Sequence, residues 1–353
     1  MRLEKRTTPS RRMLAAAPLA AVAFTLAVSS LLVLWAGAPV GPTWGHLLRG
    51  GFGSVFAWTE TLTRATPLML TGLAAAVAFR ARLFNIGAEG QLYAGALAAV
   101  AVGGLHGGAG FDIAPALLFP LMLLAAAVAG AMLLLGPALL RARLGVDEVV
   151  TTLLLNFVVL LAVSALIDGP MKDPTAMGWP QSVALKDELS LTRLVEGARV
   201  HTGLLAAGVL AVLLWALLEF TTFGFDVRAL GANPRAAAFA GVPVTRTVVG
   251  VAQLSGALAG LAGAVEVAGR SGYVTLDMSP GYGFSGIVVA MLAGLHPVGV
   301  LLASVFIAGV LVGADSMSRA IGVPNYIADV IVAASLLSVL VAAMLAHYRV
   351  RWR

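Results

Sequence analysis

The sequence predicts an all-α polytopic membrane protein of about ten transmembrane helices, some broken or re-entrant, with both termini cytoplasmic. Three observations carry this reading. Only 11% of the 353 residues are charged and 59% are hydrophobic, at a mean hydropathy of +0.94. A soluble domain carries about 25% charged residues, so this chain could not cover a surface facing water. The apolar runs are continuous rather than alternating, which argues for helical spans over a barrel. Finally, with the N-terminus inside, the inner segments hold 15 of the 23 Lys and Arg, and the short loops agree with that side. The formal net charge of +6 therefore reads as a topology signal, and no nucleic-acid partner is expected. Cysteine is absent, which excludes disulfides, thiolate metal sites and Cys nucleophiles.

Taken in order, residues 1–13 form a basic cytoplasmic N-terminus with Arg2, Lys5, Arg6, Arg11 and Arg12. A single transmembrane domain covers 14–347. Its first span, about 14–35, is too long for the apolar region of a signal peptide. Residues 52–64, with Trp58, suit an interfacial helix, and a second span follows at 65–79. The third runs from about 92 to 104, the fourth from 115 to 140 and the fifth from 146 to 167. Residues 168–200 make a long external loop. The sixth span covers 202–220, residues 221–246 form a basic inner loop, and the seventh span covers 247–268. The Gly-rich stretch 269–282 is a candidate re-entrant segment. The apolar region 283–313 is too long for one span at 1.5 Å per residue, so it divides at His296-Pro297 into two. A tenth span at 326–347 leads to the basic tail 348–353.

Polar residues at a hydrophobic boundary are costly unless satisfied or facing a cavity. The stretch 83–91, LFNIGAEGQ, places Asn85, Glu89 and Gln91 beside Gly87 and Gly90 between two apolar runs. Two readings stand: Glu89 caps a helix at the lipid interface, where its charge suits the helix dipole, or the stretch is a broken helix lining a polar path. The amides of Asn85 and Gln91 donate and accept, which suits polar uncharged cargo. Asn156 lies deep in the fifth span, where an unpaired amide is expensive; it serves either as glue between helices or as a cargo contact. Asp147 and Glu148 open that span, with capping and a pair to Arg143 as the plain expectation. Glu266, Arg270 and Asp277 suit an ion pair near the outer surface, and Asp315, Arg319 and Asp329 suit loop and interface charges. In the inner loop, Asn233-Pro234 starts a short helix and Gly241 ends it, giving either a docking element or an amphipathic connector. There is no phosphate-binding loop, metal-ligand spacing or hydrolase elbow.

Several stretches resemble one family, the membrane permeases of bacterial ATP-binding cassette importers in the branch that serves simple sugars and nucleosides. They are ATPLMLTGL at 65–73, LFNIGAEGQ at 83–91, VDEVVTTLLLN at 146–156, GPMKDP at 169–174 and GANPRAAAFAG at 231–241. Together they look closest to the larger of two paired nucleoside-type permeases. The resemblance implies a transport subunit and not an enzyme, placed in the bacterial inner membrane as a multi-pass protein. Its implied partners are a second permease subunit forming a heterodimer, a cytoplasmic ATPase that binds the ATP, an extracellular or periplasmic substrate-binding protein, and the lipid bilayer. The chain itself would hold no cofactor. By the same resemblance Gly231, Asn233, Pro234, Arg235, Ala237 and Gly241 form the helix that couples to the ATPase; Asn85, Glu89, Gln91 and Asn156 are expected to line or shape the path because they are polar side chains beside helix-breaking glycines within apolar sequence. The implied cargo is a nucleoside, with simple sugars as the alternative. An ion-driven transporter is a more distant one and would need a buried relay from Glu89, Glu148 and Glu266.

Overall fold

The computed structural model describes residues 2–5, 23–104 apart from 25, 29 and 36, then 114–322, and beyond that 330, 333, 334, 337, 338, 341 and 348–351. The expected tenth span falls largely outside the described residues, as do residues 14–22 of the expected first. The regular structure of the described residues is helical apart from isolated bridges and one antiparallel pairing of Arg2–Lys5 with Tyr348–Arg351. The helices are α1 (Val40–Phe52), α2 (Val55–Arg80), α3 (Ala88–Gly103), α4 (Pro115–Leu144), α5 (Glu148–Asp168) and α6 (Gly203–Phe220). They continue as α7 (Thr222–Ala232), α8 (Pro234–Phe239), α9 (Val244–Glu266), α10 (Tyr282–Leu292) and α11 (Pro297–Ile321). Among the described residues six helices are long and apolar enough to cross a bilayer, and up to seven if the bent pair Leu26–Trp35 and Val40–Phe52 is one span.

The structure changes one sequence expectation and gives detail to two others. Residues 52–64 are not a separate interfacial helix, because α2 runs unbroken for 26 residues. Of the threonines in this stretch, Thr59 turns its hydroxyl onto a carbonyl one turn back and Thr61 turns its own onto Gly51 O of α1 (2.8 Å). Thr59 donates to Phe56 O (2.9 Å) and, further along α2, Thr66 donates to Leu62 O (3.0 Å). Next, α3 and α10 have 16 and 11 residues. At 1.5 Å per residue they reach about 24 Å and about 17 Å, short of a hydrocarbon core of about 30 Å. The chain does break before Pro297, through Gly294 and Leu295 at positive φ, but only α11, with 25 residues, is long enough to span. Lastly, the re-entrant candidate 269–282 is a π-turn, Val267–Ser271, followed by a non-helical link to α10.

Two compact units result: Met1–Thr61 with Val305–Arg353, and Leu62–Ser304. In the first, α1 and α11 meet backbone to backbone, with Gly51 against Gly309 and Gly313 against Leu47. In the second, α3, α4 and α9 pack against one another. Gly260 sits against Gly95 on one side and against Ala126 and Gly130 on the other, with no room for a side chain. Small residues are what permit membrane helices to approach this closely. Leu121, Leu124 and Val128 of α4, Leu154 and Phe157 of α5, and Leu205 and Val209 of α6 stay exposed, as expected of faces turned to lipid or to another subunit.

The loop 168–202 folds back onto this unit. Ser182 exchanges two hydrogen bonds with Val274, Leu185 N donates to Gly272 O (2.7 Å), and Lys186 N donates to Gly103 O (3.0 Å). Leu191 N reaches the π-turn at Ala268 O (2.8 Å). His201 closes the loop, its Nδ1 accepting from Gly203 N (3.2 Å) while the ring packs on Gly269. Burial pushes its pKa down to about 4 from 6.5. The folded protein therefore keeps His201 neutral while the unfolded chain protonates it below about pH 6.5. Stability from this group is complete above pH 6.5 and is lost as pH falls towards 4, by about 3 kcal/mol on a scale of ~1.4 kcal/mol per pH unit. Thermal unfolding in detergent at pH 7.5 and 4.5 checks this: His201→Asn, which retains an acceptor for Gly203 N, should flatten the drop relative to the wild type.

Candidate functional site

Residues 81–87 leave the helical path between α2 and α3, and α5 holds them there. Glu148, Thr152 and Asn156 recur every four residues, so they share one face of α5. That face is buried and works as a hydrogen-bond template. Glu148 Oε1 accepts from Phe84 N (3.1 Å) and Thr152 Oγ1 accepts from Ile86 N (3.2 Å). The Asn156 amide donates to Ile86 O and accepts from Gly90 N, both at 2.8 Å. Backbone groups freed by a broken helix must find partners inside a membrane protein. Here three side chains supply them. Of the two sequence readings of Asn156, its observed contacts are those of glue between segments.

Glu148 also pairs with Arg141, in place of the expected pair to Arg143. Helix α4 ends at Leu144, and Gly145 turns the chain in the left-handed region, which carries Arg141 across to α5. Asp147 caps α5 as expected, accepting from Val149 N (2.8 Å).

Asn85 and Gln91 face each other across the break. Each amide donates to the other, at 2.9 and 3.0 Å. Asn85 also accepts from Gly87 N (2.9 Å) and donates to Ser255 Oγ of α9 (3.1 Å), and Ser255 donates to Ala74 O of α2 (2.8 Å). All four hydrogen-bonding positions of the Asn85 side chain are thus used within the protein. Both amides are 1% exposed. Ser255 was not a sequence candidate. Nothing in the alanine and glycine run around it marks it, since its partner is 170 residues away.

Glu89, in the first turn of α3, is 4% exposed. Its Oε2 accepts from Gly283 N (2.6 Å) in the first turn of α10. One carboxylate therefore serves the positive ends of two short helices, an arrangement favoured by both dipoles. Tyr93 Oη donates to Leu276 O (2.5 Å), and Thr71 Oγ1 donates to Tyr282 O (2.9 Å), so the link before α10 is tied to α3 and α2. Further along α9, Glu266 pairs with Arg270 (2.6 Å) across the π-turn, whereas Asp277 is exposed and takes no part.

The inner-loop candidates form a second locus. Asn233 caps α8, accepting from Arg235 N (3.0 Å) and Ala236 N (3.2 Å), and Pro234 takes the first helical position. Gly241, at φ +87°, ends the turn in a conformation that favours glycine. Ala237 alone of α8 is buried, and Phe239 is 97% exposed. Phe239 was missed from sequence, where it is one aromatic in an alanine run. Gly231 packs against Arg80 O, five residues before Asn85, so the two loci are joined. Among the described residues no group of His, Asp and Glu could hold a metal ion.

The chain matches the family described as branched-chain amino acid transport system permease component over residues 57–342. It is similar to the guanosine ABC transporter permease protein NupP of Bacillus subtilis, 37% identical over 91% of this chain and 92% of that protein. It is similar to the glucose ABC transporter permease protein TsgB13 of Haloferax volcanii, 37% identical over 99% of this chain and 93% of that one. The nucleoside ABC transporter permease protein NupB of Lactococcus lactis is 33% identical over 90% of this chain and 88% of its own length.

Proposed function

We propose that this chain, which belongs to the family of branched-chain amino acid transport system permease components, forms the path for nucleosides in an ATP-binding cassette importer. The carrying observation is near full-length similarity to guanosine and nucleoside permeases. Simple sugars are the second reading, favoured by the equally similar glucose permease. Reconstituted uptake of radiolabelled nucleoside, competed with unlabelled nucleosides and hexoses, separates the two. Competition by hexose alone overturns the nucleoside reading.

In this proposal the chain pairs with a second, shorter permease, a cytoplasmic ATPase that binds ATP, and an external substrate-binding protein, in the bacterial inner membrane. Both termini lie in the cytoplasm and the full chain makes about ten membrane passes, α3 and α10 counting as short ones. Asn85, Glu89, Gln91 and Asn156 shape the path by fixing the break between α2 and α3. Uptake that persists without the ATPase would favour an ion-driven carrier instead.

The segment Gly231 to Gly241 docks on the ATPase in this reading, because a capped helix turns an exposed phenyl ring away from its own core. Aromatic anchors carry a large share of interface energy, about 2 kcal/mol or more each. Phe239→Asp should therefore weaken co-purification of the ATPase by about thirtyfold. Arg235→Cys should cross-link to a cysteine in the ATPase surface in the wild-type background; no product from an assembled complex removes the docking role.

A further inference from the structure

The α7–α8 corner and the broken segment are joined by parts that have no slack. Asn233 closes one helix and opens the next: its N–H donates to Ala229 O (3.1 Å) while its side chain caps α8. Val227 and Leu230 bury α7 against the unit, and Arg228 ties it to Leu218 O and to Glu219 (3.7 Å). At the end of α7 the Gly231 backbone lies on the Arg80 carbonyl, where no Cβ would fit. Beyond Arg80 every step is pinned. Leu83 N donates to Ala78 O (2.9 Å), Arg82 N to Phe79 O (3.0 Å), and Arg82 itself takes φ +54°, a conformation that side chains rarely adopt. Phe84 and Ile86 are then held by α5, and Asn85 by Gln91 and Ser255.

We propose that the Gly231–Arg80 contact is where movement of the α7–α8 corner enters the translocation path, which makes Gly231 a positioning residue for coupling. The proposal rests on the reading of α8 as the ATPase-docking helix. A displaced corner must press on the last carbonyl of α2, and a packed backbone contact transmits displacement instead of absorbing it. The next rigid tie is the Asn85–Gln91–Ser255 cluster, so the break moves as one piece with α8. Gly231→Ala would push α7 away from the Arg80 carbonyl of α2.

The test uses the whole importer in liposomes. In Gly231→Ala, solute taken up per ATP hydrolysed should fall about tenfold or more, within the range of measured couplings. Unchanged uptake per ATP would overturn the proposal. Should this variant fail to assemble, hydrogen exchange in the wild type decides. Trapping the ATPase closed should alter exchange in the peptide 83–91. Unaltered exchange, with the Arg235→Cys cross-link formed, sinks the contact while leaving the docking helix intact. Absence of the cross-link removes the docking helix, and the proposal with it.

Discussion

Replacing Asn156 with leucine is expected to release the broken segment from α5 and to abolish uptake. Leucine is close in size, so little packing is lost, but Ile86 O and Gly90 N lose their shared partner. Each buried backbone group left unpaired costs about 1–3 kcal/mol, and two together about 2–6 kcal/mol. Asn156→Asp grades the effect. It keeps an acceptor for Gly90 N but turns an oxygen towards Ile86 O, so it should fall between leucine and the wild type. The thermal midpoint of the detergent-solubilised protein and solute uptake are the two readouts. A leucine variant that melts with the wild type would show that α5 does not clamp the segment.

The second large effect is expected at Gly260. A side chain there meets Ala126 O directly, and Gly95 approaches Gly260 from the other side. Gly260→Val must push α9 away from α4 or α3, and no flexible side chain is present to yield. Overpacking typically costs 1–3 kcal/mol, and a two-sided backbone contact should exceed about 3 kcal/mol. The monodisperse fraction on size exclusion should fall to background. Gly208→Ala is the control, because a Cβ added there meets nothing within 4 Å. Equal losses in both variants would mean that the α3–α9–α4 contact is not what matters.

Much of this was legible in the sequence because it rests on local rules. Asn233-Pro234 and Gly241 bound a helix by capping chemistry, Asp147 opens α5 for the same reason, and the chain restarts at Pro297, where a missing N–H does no harm. The stretch 83–91 stood out as a break because amides and glycines interrupt apolar sequence. What stayed hidden depends on the distant chain. Thr59 looks like part of a boundary until its hydroxyl is seen bonded to its own helix. The role of Glu89 could not be read without Gly283, nor that of Asn85 without Ser255. The pairing of Glu148 with Arg141 follows from the turn at Gly145, which charge spacing alone does not reveal.

The hydrogen bond between Glu89 and Gly283 also fixes an order of events in biogenesis. Its partners are 194 residues apart, and those of the Thr71–Tyr282 bond 211 apart. The Asn85 amide likewise waits for Ser255. A ribosome adds about 5–20 residues per second, so these partners arrive some tens of seconds after α3 has been delivered to the membrane. Before Ser255 and Gly283 are made, α5 is the one later element described above that holds residues 83–91 in place. Asn156 is thus the early chaperone of a segment whose remaining restraints are still being synthesised.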